Sequence, residues 1–430
     1  MKRLKNTFPP INRFPPEVLA LIPAFFREDR DLINATAVCS HWRVTFLSTP
    51  RLWCDINVRS IPMVSTYLER SGDVPLYVRC TASMRVPSLL RPHMRRIVSL
   101  DIKHKGRGLF SQVLQNLYDP APMLRALTFR ADHDDLFGLD IPHHFLGGSF
   151  PSLRKLVLID IYSFATPYIF QTVTTLIWTT NSDLIDEFLK TLDSLPSLEV
   201  ASIQFHPPFR PASTRANRTI ILQHLRRLSL TANIEPERGL CGFTLPILHF
   251  IDLPNLISLQ AGGSFKSRVL PPSVLFAERL PGLSELPEAE ISLPRRNSAR
   301  VRLSGSRQSE LIISVEDVSD VDVTCIFSGG TPFRSVRKLI AVFGEDTSPQ
   351  VDRWVLDALE IIAGVETLEV VGDCIKWLNV WRGKDMYHRI CPSLRRLTVS
   401  GGMCCRSELS VFADLRNSVG LPLIATYENA

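Results

Sequence analysis

Asp132-His133-Asp134-Asp135, with His143-His144 close behind, is the densest run of side chains able to hold a divalent metal or move a proton. A catalytic centre needs such groups to converge on a nucleophile, a metal or an oxyanion site. This run falls where the loop after a strand belongs, and polar residues there are ordinary turn formers, so no metal site is expected of it. The glycine pairs Gly147-Gly148, Gly262-Gly263, Gly329-Gly330 and Gly401-Gly402 lack the Lys-Ser/Thr or Gly-x-Gly-x-x-Gly context that cradles phosphate, and predict turns. No Gly-x-Ser-x-Gly elbow occurs, and none of the nine cysteines marks a nucleophile or a Cys-x-x-Cys pair. The chain is therefore expected to be no enzyme and to carry no cofactor and no metal.

A second chemistry lies in basic residues that recur directly after an apolar one: Arg125, Arg154-Lys155, Arg226-Arg227, Arg337-Lys338 and Arg395-Arg396. Two readings fit. The variable residues of a repeat array can line one binding surface, in which case these residues are candidates for contact with a target. Alternatively they are solvated starts of strands, and Glu199, Glu366 and Glu369 interrupt any continuous basic stripe.

The wider balance of charge restrains both readings. The 430 residues hold 49 basic and 43 acidic side chains, net +6, with 39 Arg against 10 Lys. Arg suits bidentate contact with carboxylate or phosphate. Yet the charge is too dilute to imply nucleic-acid binding, and the Arg-rich stretch 295–307 has no aromatic residue to stack on a base. Nucleic acid is thus not an expected partner, although a polyanion- or RNA-binding repeat protein is the alternative to a protein receptor.

At 45% hydrophobic residues the composition is that of a globular chain rather than a disordered one. No stretch approaches 18 uninterrupted apolar residues, so no membrane partner is expected, and Met1–Pro10 has no apolar run of the secretory kind behind its basic residues. Scattered cysteines, odd in number, fit reduced thiols in cytoplasm or nucleus. The sequons at Asn34 and Asn217 are then chance matches.

The elements that must position these residues come from a repeat that begins near residue 97. Its core is an apolar residue, two variable ones, a second apolar residue, one variable and a third apolar residue. The clearest copies are Leu124, Leu127, Phe129; Leu153, Leu156, Leu158; Val173, Leu176, Trp178; Leu225, Leu228, Leu230; Leu256, Leu259, Ala261; Val365, Leu368, Val370; and Leu394, Leu397, Val399. Weaker copies start at Ile97, Leu198, Leu283, Gln308 and Val336. The spacing of about 20 to 31 residues is a leucine-rich-repeat period.

The second and third apolar residues lie two apart, so a short strand points both into one core, and the first seals the preceding bend. Pro122, Pro151, Pro196, Pro254, Pro281 and Pro392 stand two residues before that first position and end whatever precedes the strand. Helical spacing follows at 182–193 and 351–363. The ladder position of such repeats carries Asn181, Asn233, Asp132 and Asp373 in only some copies. The stretches 207–218 and 293–307 read as solvated loop insertions, and 407–430 as a cap or a frayed end.

Residues before the repeat read differently. Pro15, Pro16 and Glu17 open a helix that carries Val18, Leu19, Ile22, Phe25 and Phe26, and a second helix is expected from about Asp31 to Phe46. The order Phe14, Pro15, Glu17, Val18, Leu19, Ile22, Phe26, Asp31, Leu32, Val38, Cys39, Trp42, Arg43, Leu52, Trp53 resembles the F-box, with Phe14 where that family has Leu. The match covers about 40 residues, under a tenth of the chain.

The resemblance implies an α/β protein: a three-helix F-box module at residues 8–56, then a leucine-rich-repeat-like solenoid at 57–430 with parallel strands on its concave face and helices and loops on its convex face. It further implies that the module binds the Skp-type adaptor of a cullin–RING (SCF-type) ubiquitin ligase while the solenoid holds an unknown protein target. Phe14, Pro15, Pro16, Glu17, Leu19, Ile22, Leu32, Val38, Cys39, Trp42, Arg43 and Trp53 would divide between module core and adaptor contact. A module this short cannot enclose all of its apolar groups and is expected to expose some to a partner.

Overall fold

The computed structural model describes residues 10–26, 29–58, 61–81, 85–103, 109–131, 137–165, 170–180, 185–205, 219–232, 248, 250–264, 283, 286, 288–295, 298–305, 310–316, 335–343, 359, 362–372, 391–400 and 406–428. The chain forms two compact units, Met1–Val173 and Thr174–Ala430. The Asp132–Asp135 run, the ladder residues at 132, 181, 233 and 373, the 207–218 stretch and most of the 351–363 helix lie outside the described residues.

In the first unit, strands β1 (Asp55–Val58), β2 (Leu76–Thr81), β3 (Ile97–Lys103), β4 (Ala126–Arg130) and β5 (Lys155–Ile159) pair in parallel and in chain order. Their register stacks like on like: Ile56 faces Val78, Val78 faces Leu100, Leu100 faces Leu127 and Leu127 faces Leu156. All of these are buried, as are the bend residues Leu124 and Leu153. The rings of Phe129, Phe145, Phe150 and Phe170 continue the core beneath the sheet at centroid spacings of 6.0, 6.0 and 5.2 Å. The winding thus begins two strands upstream of the first repeat legible in the sequence, at β1, directly after Trp53.

Of the glycine pairs expected to be turns, Gly262–Gly263 lies instead within the strand Ser258–Ser264, whereas the pair at 147–148 is a turn and a crowded one. Both residues have positive φ, and a Cβ on Gly147 would lie 2.9 Å from the side chain of Pro120.

The second unit repeats the scheme with β6 (Thr175–Thr180), β7 (Val200–Phe205), β8 (Arg227–Ala232) and β9 (Ser258–Ser264), again parallel and in order. Helix α5 (Ile185–Asp193) buries Phe188, Leu189 and Leu192 and leaves Lys190 and Asp193 in solvent, which is the amphipathic spacing of the sequence made visible. Phe188 packs between Trp178 and Phe205 at 5.5 and 5.6 Å.

After β9 the order changes. Strands β10 (Glu288–Arg295), β11 (Ser298–Ser304) and β12 (Glu310–Glu316) enter the sheet reversed: β9 pairs with β12, β12 with β11, β11 with β10, and β10 with β13 (Lys338–Phe343). β11 runs antiparallel to both neighbours. The expected loop at 293–307 is therefore corrected to part of a hairpin. Its Arg and Ser content suggested a solvated insertion, but Ala299, Val301 and Leu303 alternate with polar residues at the period of a strand, and Val301 and Leu303 are buried. Beyond it, β13, β14 (Thr367–Val371), β15 (Arg396–Ser400) and β16 (Ile424–Glu428) are parallel. Helix α6 (Arg406–Ser418) precedes β16, so the C-terminal stretch is a further winding rather than a frayed end.

One backbone device ties neighbouring windings together. The residue before each strand offers its carbonyl to two N–H groups of the next winding: Arg125 to Arg154 and Lys155 at 2.9 and 3.0 Å, Glu199 to Arg226 and Arg227 at 2.8 and 3.1 Å, and Glu366 to Arg395 and Arg396 at 2.8 and 3.1 Å. The backbone of the basic pairs is thus structural whatever their side chains do.

Candidate protein-docking face

The N-terminal module is built from short pieces. Helix α1 (Pro16–Leu19) starts on Pro15 and Pro16 with Glu17 in its first turn, and ends early because Pro23 has no N–H to continue it. A 3-10 turn follows at Ile22–Phe25. The single helix expected from Asp31 to Phe46 is instead two, α2 (Asp29–Ala35) and α3 (Ser40–Leu47). The break lies at Thr36–Cys39. The Thr36 hydroxyl donates to the Ile33 carbonyl at 2.6 Å, the Arg43 guanidinium donates to the Thr36 carbonyl at 2.9 Å, and Cys39 is extended. Side chains there satisfy carbonyls that a continuing helix would use, which favours a turn.

The core of this module is Leu19, Leu32, Ala35, Cys39, Trp42, Phe46 and Trp53. Trp42 donates its indole N–H to Asn12 Oδ1 at 2.7 Å and meets Phe46 edge-on at 5.4 Å. Trp53, fully buried, donates to the Phe46 carbonyl at 2.9 Å. Helix α4 (Ile61–Arg70), which follows β1, closes over Trp53: Tyr67 packs edge-on at 5.0 Å and the Arg70 guanidinium lies 4.5 Å above the ring. The module is therefore joined through Trp53 to the first winding.

What the core leaves outside decides the site. Phe14, Val18, Leu21, Phe25, Val38, Val44 and Leu47 are all exposed, with Phe25 at 83%, Val44 at 67%, Leu21 at 66% and Val38 at 55% of their surface open. Scattered single apolar residues on a surface need no explanation, but so many within one short module make it the candidate for an interaction site. Covering a side chain of this size is worth about 1.5 to 3 kcal/mol.

The motif residues divide accordingly. Leu19, Leu32, Cys39, Trp42 and Trp53 are core, Ile22 is half-buried, and Phe14, Pro15, Pro16, Glu17, Val38 and Arg43 are at the surface. Leu21 and Val44 were not singled out by the sequence. They sit between core positions of the motif and face outward, Val44 lying two residues from both Trp42 and Phe46 and so on the opposite side of α3.

The basic candidates are not brought together. In the first unit Arg154 folds onto backbone, donating to the carbonyls of Leu153 at 3.0 Å, Pro151 at 3.3 Å and Thr172 at 3.4 Å, while Arg125 and Lys155 are exposed. In the second unit Arg337 approaches Glu366 at 3.8 Å and the Gly364 carbonyl at 3.2 Å, and Lys338 pairs with Glu369 at 2.9 Å. Arg226, Arg227, Arg395 and Arg396 are exposed. Elsewhere on the strands Arg79 pairs with Asp55 and Arg130 with Asp101, each at 3.0 Å. Several Arg side chains are thus engaged by neighbouring carboxylates and carbonyls, and no continuous basic stripe forms among the described residues.

His144 is likewise engaged, its Nε2 lying 3.1 Å from the Gln115 carbonyl. Among the described residues no group of His, Cys, Asp and Glu is arranged to hold a metal, and no helix is long and apolar enough to cross a membrane. No protein-family model matches the chain, and no curated protein aligns with it.

Proposed function

We propose that this chain is a substrate receptor of a cullin–RING ubiquitin ligase, with an F-box-like module at its N-terminus that docks on the Skp-type adaptor and a leucine-rich-repeat-type solenoid that holds a protein target. The observation that carries the reading is the exposed apolar set Phe14, Val18, Leu21, Phe25, Val38 and Val44 around a core of Leu19, Trp42 and Trp53. A partner that covers this set supplies the burial the module lacks. The mechanism is proximity: a target held by the solenoid experiences a raised effective concentration of the transferring enzyme, with no chemistry asked of this chain.

Phe25→Asp with Val44→Asp places charge on the face without touching the core. Interface anchors are each worth about 2 kcal/mol or more, so the double variant should lose adaptor co-purification by well over tenfold while keeping its melting temperature. Retention of the adaptor by the double variant, or failure of the unaltered chain to bind it, refutes the assignment.

A further inference from the structure

The C-terminal end of the second unit carries a groove of about 700 Å³, lined by Glu366, by Pro392 to Arg395, and by Asn417 and Leu421 to Ile424. Two features distinguish it from an ordinary surface hollow. Ile424 is 65% exposed, more than any other large apolar side chain described in that unit. Arg395 is exposed and makes no ion pair among the described residues. It is the last rung of a pre-strand series that alternates in sign, Arg337, Glu366, Arg395, and Glu366 leans toward Arg337 at 3.8 Å. The next winding has Leu423 at that rung, so no carboxylate stands beside Arg395 on that side.

The walls are held in place before anything binds. Arg416, fully buried, donates from Nη2 to the Cys391 carbonyl at 3.1 Å, which ties α6 to the turn before β15. The Leu423 N–H donates to Asn417 Oδ1 at 2.9 Å, the Leu421 N–H to the Arg416 carbonyl at 3.0 Å, and the Ile424 N–H to the Arg395 carbonyl at 2.9 Å. A groove so fixed loses little conformational freedom on binding.

We infer that this groove is a peptide-binding site for an extended segment of another protein that places an acidic side chain against Arg395 and an aliphatic side chain against Ile424. Charge complementarity selects the carboxylate, because Arg395 is the unmatched cation of the series. The exposed Pro392 and Pro422 and the half-buried Leu421 of the lining provide the apolar contact. The inference does not depend on what the N-terminal module docks upon.

The probe is a peptide, Ala-Ile-Glu-Ile-Ala, carrying an uncharged BODIPY dye and capped at both ends so that its only carboxylate is the side chain, titrated against the full chain by fluorescence polarisation. Saturable binding is expected, weakened about tenfold or more by replacing the peptide Glu with Gln, by Arg395→Glu, and by Ile424→Asp in the protein. A peptide with Lys in place of Glu should bind Arg395→Glu better than it binds the unaltered chain, a rescue that a misfolded variant would not give. No binding at about 1 mM peptide, equal binding of the Glu and Gln peptides, or Arg395→Glu binding with no reversal of preference overturns the inference. Adaptor co-purification by Arg395→Glu should be unchanged, so this test and that of the N-terminal face fail separately.

Discussion

Burial sets the chemistry of single residues in this protein more than their partners do. Cys80 and Cys391 lie wholly inside the core, and desolvation pushes both thiols up to about 12 from the ordinary 9.0. The nearby Asp101 raises Cys80 further, while Arg416 works the other way on Cys391. The thiolate is the reactive form, so neither thiol should be alkylated by iodoacetamide at pH 8 in the folded chain, and both should react once denaturant opens the core. Mass-spectrometric labelling reads this directly, and labelling of Cys80 in the folded state would contradict its placement. The linkage follows in sign. Because the folded thiols hold their protons to higher pH than the unfolded ones, their contribution is complete below pH 9.0 and is lost as pH rises toward about 12. A melting series should show stability falling through that alkaline window.

At the scale of elements, legibility in the sequence tracked how many constraints each element carries. Strands β3 to β9 were visible because each shows three apolar positions at fixed spacing, and a register that stacks Leu100 on Leu127 on Leu156 makes those positions obligatory. The hairpin β10–β11 was hidden because its Pro, Arg and Ser content outweighed a period-two alternation in a window expected to be a loop. Strand β2 was missed because Pro75 stands where Val78 needs its first apolar residue, and β1 because its own first apolar residue, Trp53, already served the N-terminal motif. In the N-terminal module the motif was legible but not all of its outward residues, since Leu21 and Val44 fall between motif positions, and Val38 stands in the break at Thr36–Cys39 rather than on the inward face of one long helix. The same distinction between obligatory and free positions gives a stability test. Leu228→Ala removes a buried rung between Ala201 and Leu259 and should cost about 2 to 5 kcal/mol in denaturant unfolding. Arg125→Ala alters an exposed side chain whose structural bonds are made by the backbone, and should stay within about 0.5 kcal/mol. A large loss for Arg125→Ala would mean that its side chain, not its carbonyl, stitches the windings.

For the molecule as a whole, the sequence suggested a boundary between residues 56 and 57, with a detachable module on one side and an array on the other. The joint at Trp53 argues for continuity instead, since the indole belongs to the module by hydrogen bond and to the first winding by its contacts with Tyr67 and Arg70. The Tyr77 N–H also donates to the Cys54 carbonyl at 2.9 Å, so β2 takes its first bond from the end of the module. Deleting residues 1–54 should therefore open α4 and β2 as well as removing the docking face. Losing a buried Trp alone costs about 3 to 5 kcal/mol, and in a repeat array such a loss is felt first by the adjoining winding. Amide hydrogen exchange in 61–80 is expected to accelerate in the truncated chain and to stay at its original rate in the Phe25→Asp, Val44→Asp variant. Equal protection of 61–80 in all three chains would show the module to be a separable domain after all. If protection falls only in the truncation, the module and the first winding form one cooperative unit, and an adaptor bound at Phe25 and Val44 is coupled mechanically to the start of the solenoid.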